Sequence, residues 1–322
     1  MGNQPRRSEF RRSFVLLFLG IGAFLYLTAF FVAERLVYAM GHSNPIFKIN
    51  TTDEQDFDWV ILGASHAMPL DFDNFNQYMQ QETGLKIINL AGLGTGPLYN
   101  NFVLEYFFRS HRTKNVLYAV DSFAFASAQW NEDRLSDPKL LARTPLSMPS
   151  AFNLARYIFH RGVDPRALLD YATGFSKINN RDRFQRDVWE GEAQFDRVFK
   201  PSDTADRKRV EYLYPLVSDD AGAMAKYFED FAALRQLVQN HEARLMIVKM
   251  PLPSPFYSLL PQETAFDQAM DRVSKAENLL FRDFSQSMNE QRFYSDTDHL
   301  NRTGVTVFFS EYFKPLLISS AN

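Results

Sequence analysis

The run Asp58-Trp-Val-Ile-Leu-Gly-Ala-Ser65-His66 passes from an acid through four bulky apolar residues into two small ones, then sets a hydroxyl beside an imidazole. Val60, Ile61 and Leu62 suit a strand covered on both faces, because parallel sheets are buried on both sides and lose the alternation of a half-exposed strand. Gly63 and Ala64 leave room for a tight turn. Ser65 is therefore expected at the carboxyl edge of a sheet, where open α/β folds bind their ligands. Gly-Ala-Ser is equally an ordinary way to leave a strand and cap a helix, so the serine needs partners from elsewhere in the chain before it carries chemistry.

The chain on either side supplies the rest of such a fold. Residues 71–81 place Phe72, Phe75 and Tyr78 or Met79 at helical spacing, and Gly84 closes the helix. Residues 86–91 form a second buried strand. Gly92, Gly94 and Gly96 follow it, and Pro97 opens a helix running to Phe108. Residues 115–121 are a third strand, ending in Asp121 at the same sheet edge. Alternation of this kind implies a parallel sheet with right-handed crossovers and helices on both faces. From 122 to 219 the rhythm stops in favour of an aromatic, charged insertion containing Trp130, Trp189 and Arg181-Asp-Arg-Phe-Gln-Arg-Asp187, with helix expected at 151–160. Its alternating charge fits a solvated helix face, and also a surface that docks a partner or a polysaccharide. The α/β pattern resumes with an apolar stripe over 221–240, a strand at 244–249, a helix at 263–278 and a short strand at 279–283. The expected fold is a three-layer α/β sandwich about a central, mostly parallel, flavodoxin-like sheet over residues 56–318.

At the amino end, a basic tail at 1–12 precedes an uncharged run from Phe14 to Ala33, long enough to cross a bilayer as one helix. Arg6, Arg7, Arg11 and Arg12 before the run put the amino end in the cytoplasm and everything beyond it outside, by the positive-inside rule. Residues 13–35 thus read as a single-pass inner-membrane anchor and 36–55 as a polar tether to a periplasmic domain. A cleaved signal peptide, with Val37-Tyr38-Ala39 as its site, is the competing reading, but the apolar run is longer than a usual signal core. Thirty-one Phe in 322 residues fit a membrane-associated protein. A net charge of -3 with dispersed Lys and Arg offers no stripe for nucleic acid. With no cysteine in the chain, disulfides, thiolate metal sites and thiol catalysis are excluded. Gly92-x-Gly94-x-Gly96 lacks the spacing of a dinucleotide fingerprint and the Lys-Ser/Thr of a phosphate loop, so no cofactor is expected and no metal assigned. Its backbone N–H groups could still face an anion or an oxyanion.

The second informative stretch is Tyr294-Ser-Asp296-Thr-Asp298-His299-Leu-Asn-Arg-Thr-Gly304. A histidine oriented by a carboxylate through one ring nitrogen can take a proton from serine with the other. Ser65, His299 and either Asp296 or Asp298 would make such a set, with a metal site and a plain solvated loop as rivals. The arrangement resembles the SGNH (GDSL-type) hydrolase superfamily, in which a serine follows the first strand and Asp-x-x-His lies near the carboxyl end. Here these are Ser65 and Asp296-Thr-Asp-His299. The family's second block resembles Asn89-Leu-Ala91-Gly92-Leu-Gly94, which implies a backbone oxyanion donor at Ala91 or Gly92. There are departures. The family's Gly-Asp-Ser is Gly-Ala-Ser65 here, and its Gly-x-Asn-Asp block is missing, with Asp121 and Ser122 at the corresponding strand end. Either Ser122 or a rearranged backbone then compensates for the absent side-chain donor, or the chemistry is slow or is transfer rather than hydrolysis.

An anchor together with Gly-Ala-Ser-His is most similar to the cell-envelope branch of that superfamily, such as alginate O-acetyltransferase and teichoic-acid D-alanyl transfer proteins. The resemblance implies an extracytoplasmic O-acyltransferase that accepts an acyl group, acetyl by expectation, from a multispanning membrane O-acyltransferase partner. It would pass the group through a Ser65 acyl-enzyme to a cell-envelope or secreted polysaccharide, with His299 as base and Asp296 fixing its tautomer. His66 is read as a structural or acceptor-site residue, with direct participation left open, and Asp121, Ser122 and Asp298 stand with it among the candidates for binding the oxyanion or the substrate. The alternative, motivated by the missing block and the insertion, is a catalytically silent scaffold of the same fold in a polysaccharide synthesis or export complex.

Overall fold

Five segments become strands, and the apolar runs among them are buried on both faces, whereas the last and shortest lies half-exposed at the sheet edge. In a computed structural model describing residues 5–215 and 221–321, β1 (Asp56–Gly63), β2 (Ile87–Asn89), β3 (Arg112–Ala119), β4 (Arg244–Lys249) and β5 (Leu280–Asp283) form one sheet. The order is β2-β1-β3-β4-β5 and every pairing is parallel. This is the flavodoxin-like order, and its switch point falls between β1 and β3. Along β1 the side chains alternate between two cores. Val60 and Leu62 pack with Phe231, Leu234 and Val238 of the helix Ala221–Asn240 on one face, whereas Trp59 and Ile61 meet Val305 and Phe308 of the helix Arg302–Phe308 on the other. Helices on both faces complete three layers.

Differences from the sequence reading lie mostly at element ends. The helix expected at 71–81 begins as a 3-10 turn, with Asp73 and Asn74 at positive φ, and only then becomes α-helical over Phe75–Thr83. The third strand starts earlier than expected and ends at Ala119, so Asp121 and Ser122 lie beyond it on the carboxyl-side loop. The insertion is a set of helices, chiefly Met148–Arg161, Arg166–Thr173, Phe175–Asn179 and Asp203–Leu213; residues 216–219 of its expected span and 1–4 of the basic tail lie outside the described residues.

The segment expected as a polar tether at 36–55 is instead structured and packed. A single helix, α1, runs unbroken over Pro5–Met40 and buries Ala33 and Val37. A second, α2 (Pro45–Thr51), is capped by Asn44, whose Oδ1 accepts the N–H groups of Ile46 and Phe47, and it buries Ile46 and Ile49 against the main core. Asn-Pro at the start of α2 is a strong helix start. The part of α1 from Arg11 to Met40 is long and apolar enough to cross a membrane, with side chains such as Phe14, Phe18 and Phe24 exposed.

Candidate active site

The site begins with the way β1 ends. Gly63 sits at φ +147, and a Cβ there would come within 2.7 Å of the Ala119 carbonyl on β3, so only glycine lets the two strands close at this point. Its carbonyl accepts from Gly92 N–H at 3.1 Å and from Thr95 Oγ1 at 2.8 Å, while its N–H donates to Asn100 Oδ1 at 3.1 Å. With Gly63 pinned, the chain turns at Ala64 into a 3-10 helix, Ser65–Leu70. Ser65 is its first residue. The first N–H groups of a helix have no partner within it, which leaves the Ser65 amide free of intrahelical bonding beside its own Oγ. Asn89 at the end of β2 steadies this helix by donating from Nδ2 to the Ala67 carbonyl at 2.9 Å.

The stretch around His299 comes to Ser65 from the far end of the chain. Tyr294 and Leu300 form an isolated antiparallel bridge, and between them the backbone folds so tightly that the N–H groups of Asp298 and His299 both donate to Asp296 Oδ1, at 3.0 and 2.8 Å. His299 Nδ1 lies 2.8 Å from Asp296 Oδ2, and His299 Nε2 lies 2.9 Å from Ser65 Oγ. Burial would raise the Asp296 carboxyl, but His299 beside it and the hydrogen bonds it accepts hold it below the usual range. An ionised Asp296 fixes the proton on Nδ1 and leaves Nε2 as the acceptor facing the hydroxyl. This is the geometry that lets a serine lose its proton as it attacks a carbonyl. Ser65 and His299 are each only 2% exposed, whereas the Asp296 side chain keeps 35%, so bulk water is kept from the serine end of the relay but not from its acid.

Behind this relay lies a second buried network. His66 Nδ1 is 2.6 Å from Asp121 Oδ1, and its Nε2 is 3.1 Å from Asp298 Oδ2. Arg209, from the insertion helix Asp203–Leu213, bonds both Asp298 oxygens through Nε at 2.9 and 3.1 Å. Burial pushes the His66 imidazole down, but the carboxylates of Asp121 and Asp298 outweigh it and hold its pKa at about 10. Burial likewise opposes the Asp298 charge, and Arg209, His299 and His66 together keep it well below the ordinary carboxylate range. Two cations and two anions thus balance, and Asp298 is the neighbour of the relay rather than its orienting acid: its Oδ1 is 3.3 Å from His299 Nδ1, against 2.8 Å for Asp296. Ligand atoms of His66, Asp298 and His299 converge within 4.8 Å, close enough for a metal ion. Arg209 already supplies positive charge to Asp298, and both nitrogens of His66 face carboxylates as donors, so the set is completed as an ion-pair network without a metal.

The residues expected to bind an oxyanion are placed differently. Ala91 N–H donates to Asn89 Oδ1 at 2.9 Å and Gly92 N–H to Gly63, so both amides are already used in holding the turn. Gly94, at φ +59, lies against the Trp130 ring, and Gly96 N–H donates to the Trp130 carbonyl at 2.6 Å. That loop packs on the insertion instead of opening as an anion cradle. Ser122 is also engaged: its Oγ bonds Glu263 and, at 2.5 Å, Tyr214 Oη. Glu263 in turn pairs with the buried Lys249 at 2.5 Å.

The insertion's share in the site was not visible in the sequence. Besides Arg209 it supplies Trp189, whose ring meets His299 edge-on at 4.9 Å between centroids. Trp189 also lines an open groove of about 660 Å³. Gly92, Leu93 and Tyr212 also line it, together with the charged Arg134, Arg143 and Asp187. Insertion backbone clamps the base-bearing loop from outside, with Phe199 N–H on the Tyr294 carbonyl at 2.9 Å and Asn301 Nδ2 on the Arg197 carbonyl at 3.0 Å.

Fold and site together define a parallel α/β protein with a serine–histidine–aspartate relay, buried at the serine and the histidine, at the carboxyl edge of its sheet. No protein-family model and no curated protein sequence matches the chain. Among solved structures it is similar to a "putative acylhydrolase" from Bacteroides fragilis, with a TM-score of 0.44 and 8% identity over 85% of this chain and 94% of that one.

Proposed function

We propose that this chain is a membrane-anchored serine O-acyltransferase of the SGNH type, acting outside the cytoplasmic membrane on a cell-envelope or secreted polysaccharide. The observation that carries the reading is the unbroken relay from Asp296 through His299 to Ser65 Oγ, with contacts of 2.8 and 2.9 Å. In the first half-reaction His299 Nε2 takes the Ser65 proton as Oγ attacks the acyl carbonyl. The same nitrogen then protonates the departing group, leaving an ester on Ser65. In the second, a sugar hydroxyl gives its proton to His299 and attacks that ester, and Ser65 Oγ leaves with the proton. The Ser65 amide, at the free start of its helix, is the donor for the tetrahedral oxyanion in both halves.

Transfer is read in preference to hydrolysis because Ser65 and His299 are nearly closed to water, whereas the groove beside Trp189 offers aromatic and polar lining of the kind a sugar chain fits. The acyl group, acetyl in this reading, comes from a multispanning O-acyltransferase in the same membrane. A serine-directed fluorophosphonate is expected to label the full-length protein in detergent, and Ser65→Ala to abolish both labelling and polymer acylation in cells at equal expression. Absence of labelling, with acylation intact in the Ser65→Ala strain, would sink the proposal. The engagement of the Ala91, Gly92 and Ser122 donors favours one other reading, a silent scaffold of the same fold. That reading requires polymer or partner binding to survive both Ser65→Ala and His299→Ala while acylation does not depend on either residue.

A further inference from the structure

Three contacts tie the insertion to α1 at successive turns of one helix face. Tyr26 Oη donates to the Thr173 carbonyl at 3.1 Å, the Phe30 ring lies against Gly174, where a Cβ would meet it at 2.5 Å, and Glu34 pairs with Lys177 at 2.5 Å. A fourth contact brings the Leu146 amide to Glu34 Oε1 at 2.7 Å. Glu34 is the first charge after the apolar run. At 1.5 Å per residue, Phe30 lies about 6 Å and Tyr26 about 12 Å below it along the helix axis. Whatever surrounds α1 at residues 26–30 therefore also surrounds the corner where the helix Arg166–Thr173 passes into Phe175–Asn179.

That corner is built as hydrocarbon requires. In a bilayer core, backbone groups must find partners within the protein. The Thr173 carbonyl is taken by Tyr26, Gly174 N–H donates to the Asp170 carbonyl at 2.7 Å, and the Gly174 carbonyl accepts from Ile178 N–H at 2.9 Å. Ser176 donates to both oxygens of Asp170, from N–H at 2.7 Å and from Oγ at 2.5 Å. Outward, the same helices present Leu169 (66% exposed) and Phe175 (60%). The helix Met148–Arg161, which starts two residues after the Leu146 contact, presents Met148, Phe152 and Phe159 at 68–83% exposure. These three fall on one face, opposite the buried Leu154 and Tyr157. Residues 156–186 carry seven basic and three acidic side chains, a bias that suits anionic headgroups.

We infer that the helices from Met148 to Asn179 form a membrane-embedded platform, sunk into the lipid leaflet around α1, with Phe175 and Leu169 in hydrocarbon and Phe152 at its edge. The inference goes beyond the acyl-transfer reading and rests only on its claim that α1 stays in the membrane. Lipid, not a protein partner, is the occupant to which the structure commits, because the depth is set by α1 itself and the Thr173, Gly174 and Ser176 groups of the corner find their partners within the protein.

The absence of cysteine allows a clean test. Full-length Phe175→Cys and Phe152→Cys variants, each labelled with an environment-sensitive NBD dye, are reconstituted in phosphatidylethanolamine–phosphatidylglycerol vesicles containing acyl-chain doxyl lipid. Leu17→Cys within α1 and Lys275→Cys on the exposed helix Glu263–Ala276 serve as references. The expected result is a blue-shifted emission at Phe175→Cys and Leu17→Cys, each losing more than half its intensity to the doxyl lipid, a smaller loss at Phe152→Cys, and none at Lys275→Cys. Water-like, unquenched emission at Phe175→Cys beside a quenched Leu17→Cys overturns the platform while leaving the anchor in place, and would mean that a protein covers this face in the cell. If neither is quenched, the anchor reading falls and the platform with it.

Discussion

Replacing His66 with Gln separates an ion-pair network from a neutral hydrogen-bonded one, through pH. His66 is 4% exposed, lies between Asp121 at 2.6 Å and Asp298 at 3.1 Å, and has its pKa raised to about 10. A group whose folded pKa is raised contributes stability that is fully present below its unfolded value, here 6.5, and is lost as pH climbs through the folded value. Each unit of separation corresponds to about 1.4 kcal/mol, so the 6.5-to-10 interval amounts to about 5 kcal/mol between those limits. Other groups titrate near the upper limit, so the quantity to follow is the difference between the wild type and His66→Gln. The assay is urea unfolding of both proteins in the same detergent at half-unit steps from pH 6 to 9.5. The wild-type advantage should be largest near pH 6 and shrink by roughly 4 kcal/mol by pH 9.5, since most of the window has then been crossed. A difference that stays level across this range, or a His66 ring resonance that titrates near 6.5, would refute the charged network and with it the balance assigned to Arg209 and Asp298.

Arg209→Met removes one cation from the fully buried Asp298 while its other partners, His66 and Thr297, remain; a loss of about 3 kcal/mol in chemical unfolding at pH 7 is expected, at the low end for a broken buried pair because Arg209 keeps some solvent contact. A cost below a few tenths would show that the insertion does not brace the site. Trp189→Ala should lower kcat/KM for polymer acceptor by roughly two- to tenfold, from about 0.5–1.5 kcal/mol of aromatic contact, while deacylation of a small p-nitrophenyl ester changes less. Equal losses on both substrates would place Trp189 in support of His299 alone. Gly63→Ala forces a Cβ to within 2.7 Å of a β3 carbonyl and should cost about 2–5 kcal/mol or abolish expression. Full stability in that variant would mean that the β1 exit relaxes more easily than its hydrogen bonds suggest.

The sheet was legible because buried parallel strands leave continuous apolar runs, and 59–62, 116–120 and 245–248 are such runs. Ser65, Asp296 and His299 were legible because each sits where a strand or an Asp-x-x-His spacing puts it at the sheet edge. Arg209 and Trp189 were not. They reach Asp298 and His299 from an insertion whose own periodicity is irregular, and Arg209 lies 89 residues from its partner, so no local pattern announces the contact. Ser122 misled for the same reason, since Glu263, 141 residues away, captures its hydroxyl. Asn89 and Ala91 looked like an oxyanion block, but Asn89 turns its amide inward to hold the serine helix. The helix Pro45–Thr51 within the expected tether was hard to read because the composition around it is polar, although Asn44-Pro45 and the spacing of Ile46 and Ile49 carry the signal.

Ser65 and His299 are separated by 234 residues. At roughly 5–20 residues per second, a ribosome adds His299 some ten to fifty seconds after it adds Ser65. Throughout that interval β1 can form and carry its serine, yet the imidazole that stands 2.9 Å from the hydroxyl in the finished fold has not been made. The bridge between Tyr294 and Leu300, the clamp from Phe199 and Asn301, and the relay itself all complete only when the last strand and helix are in place. On the acyl-transfer reading proposed above, reactivity is timed by synthesis: the Ser65 hydroxyl gains its partner only when the final segment folds.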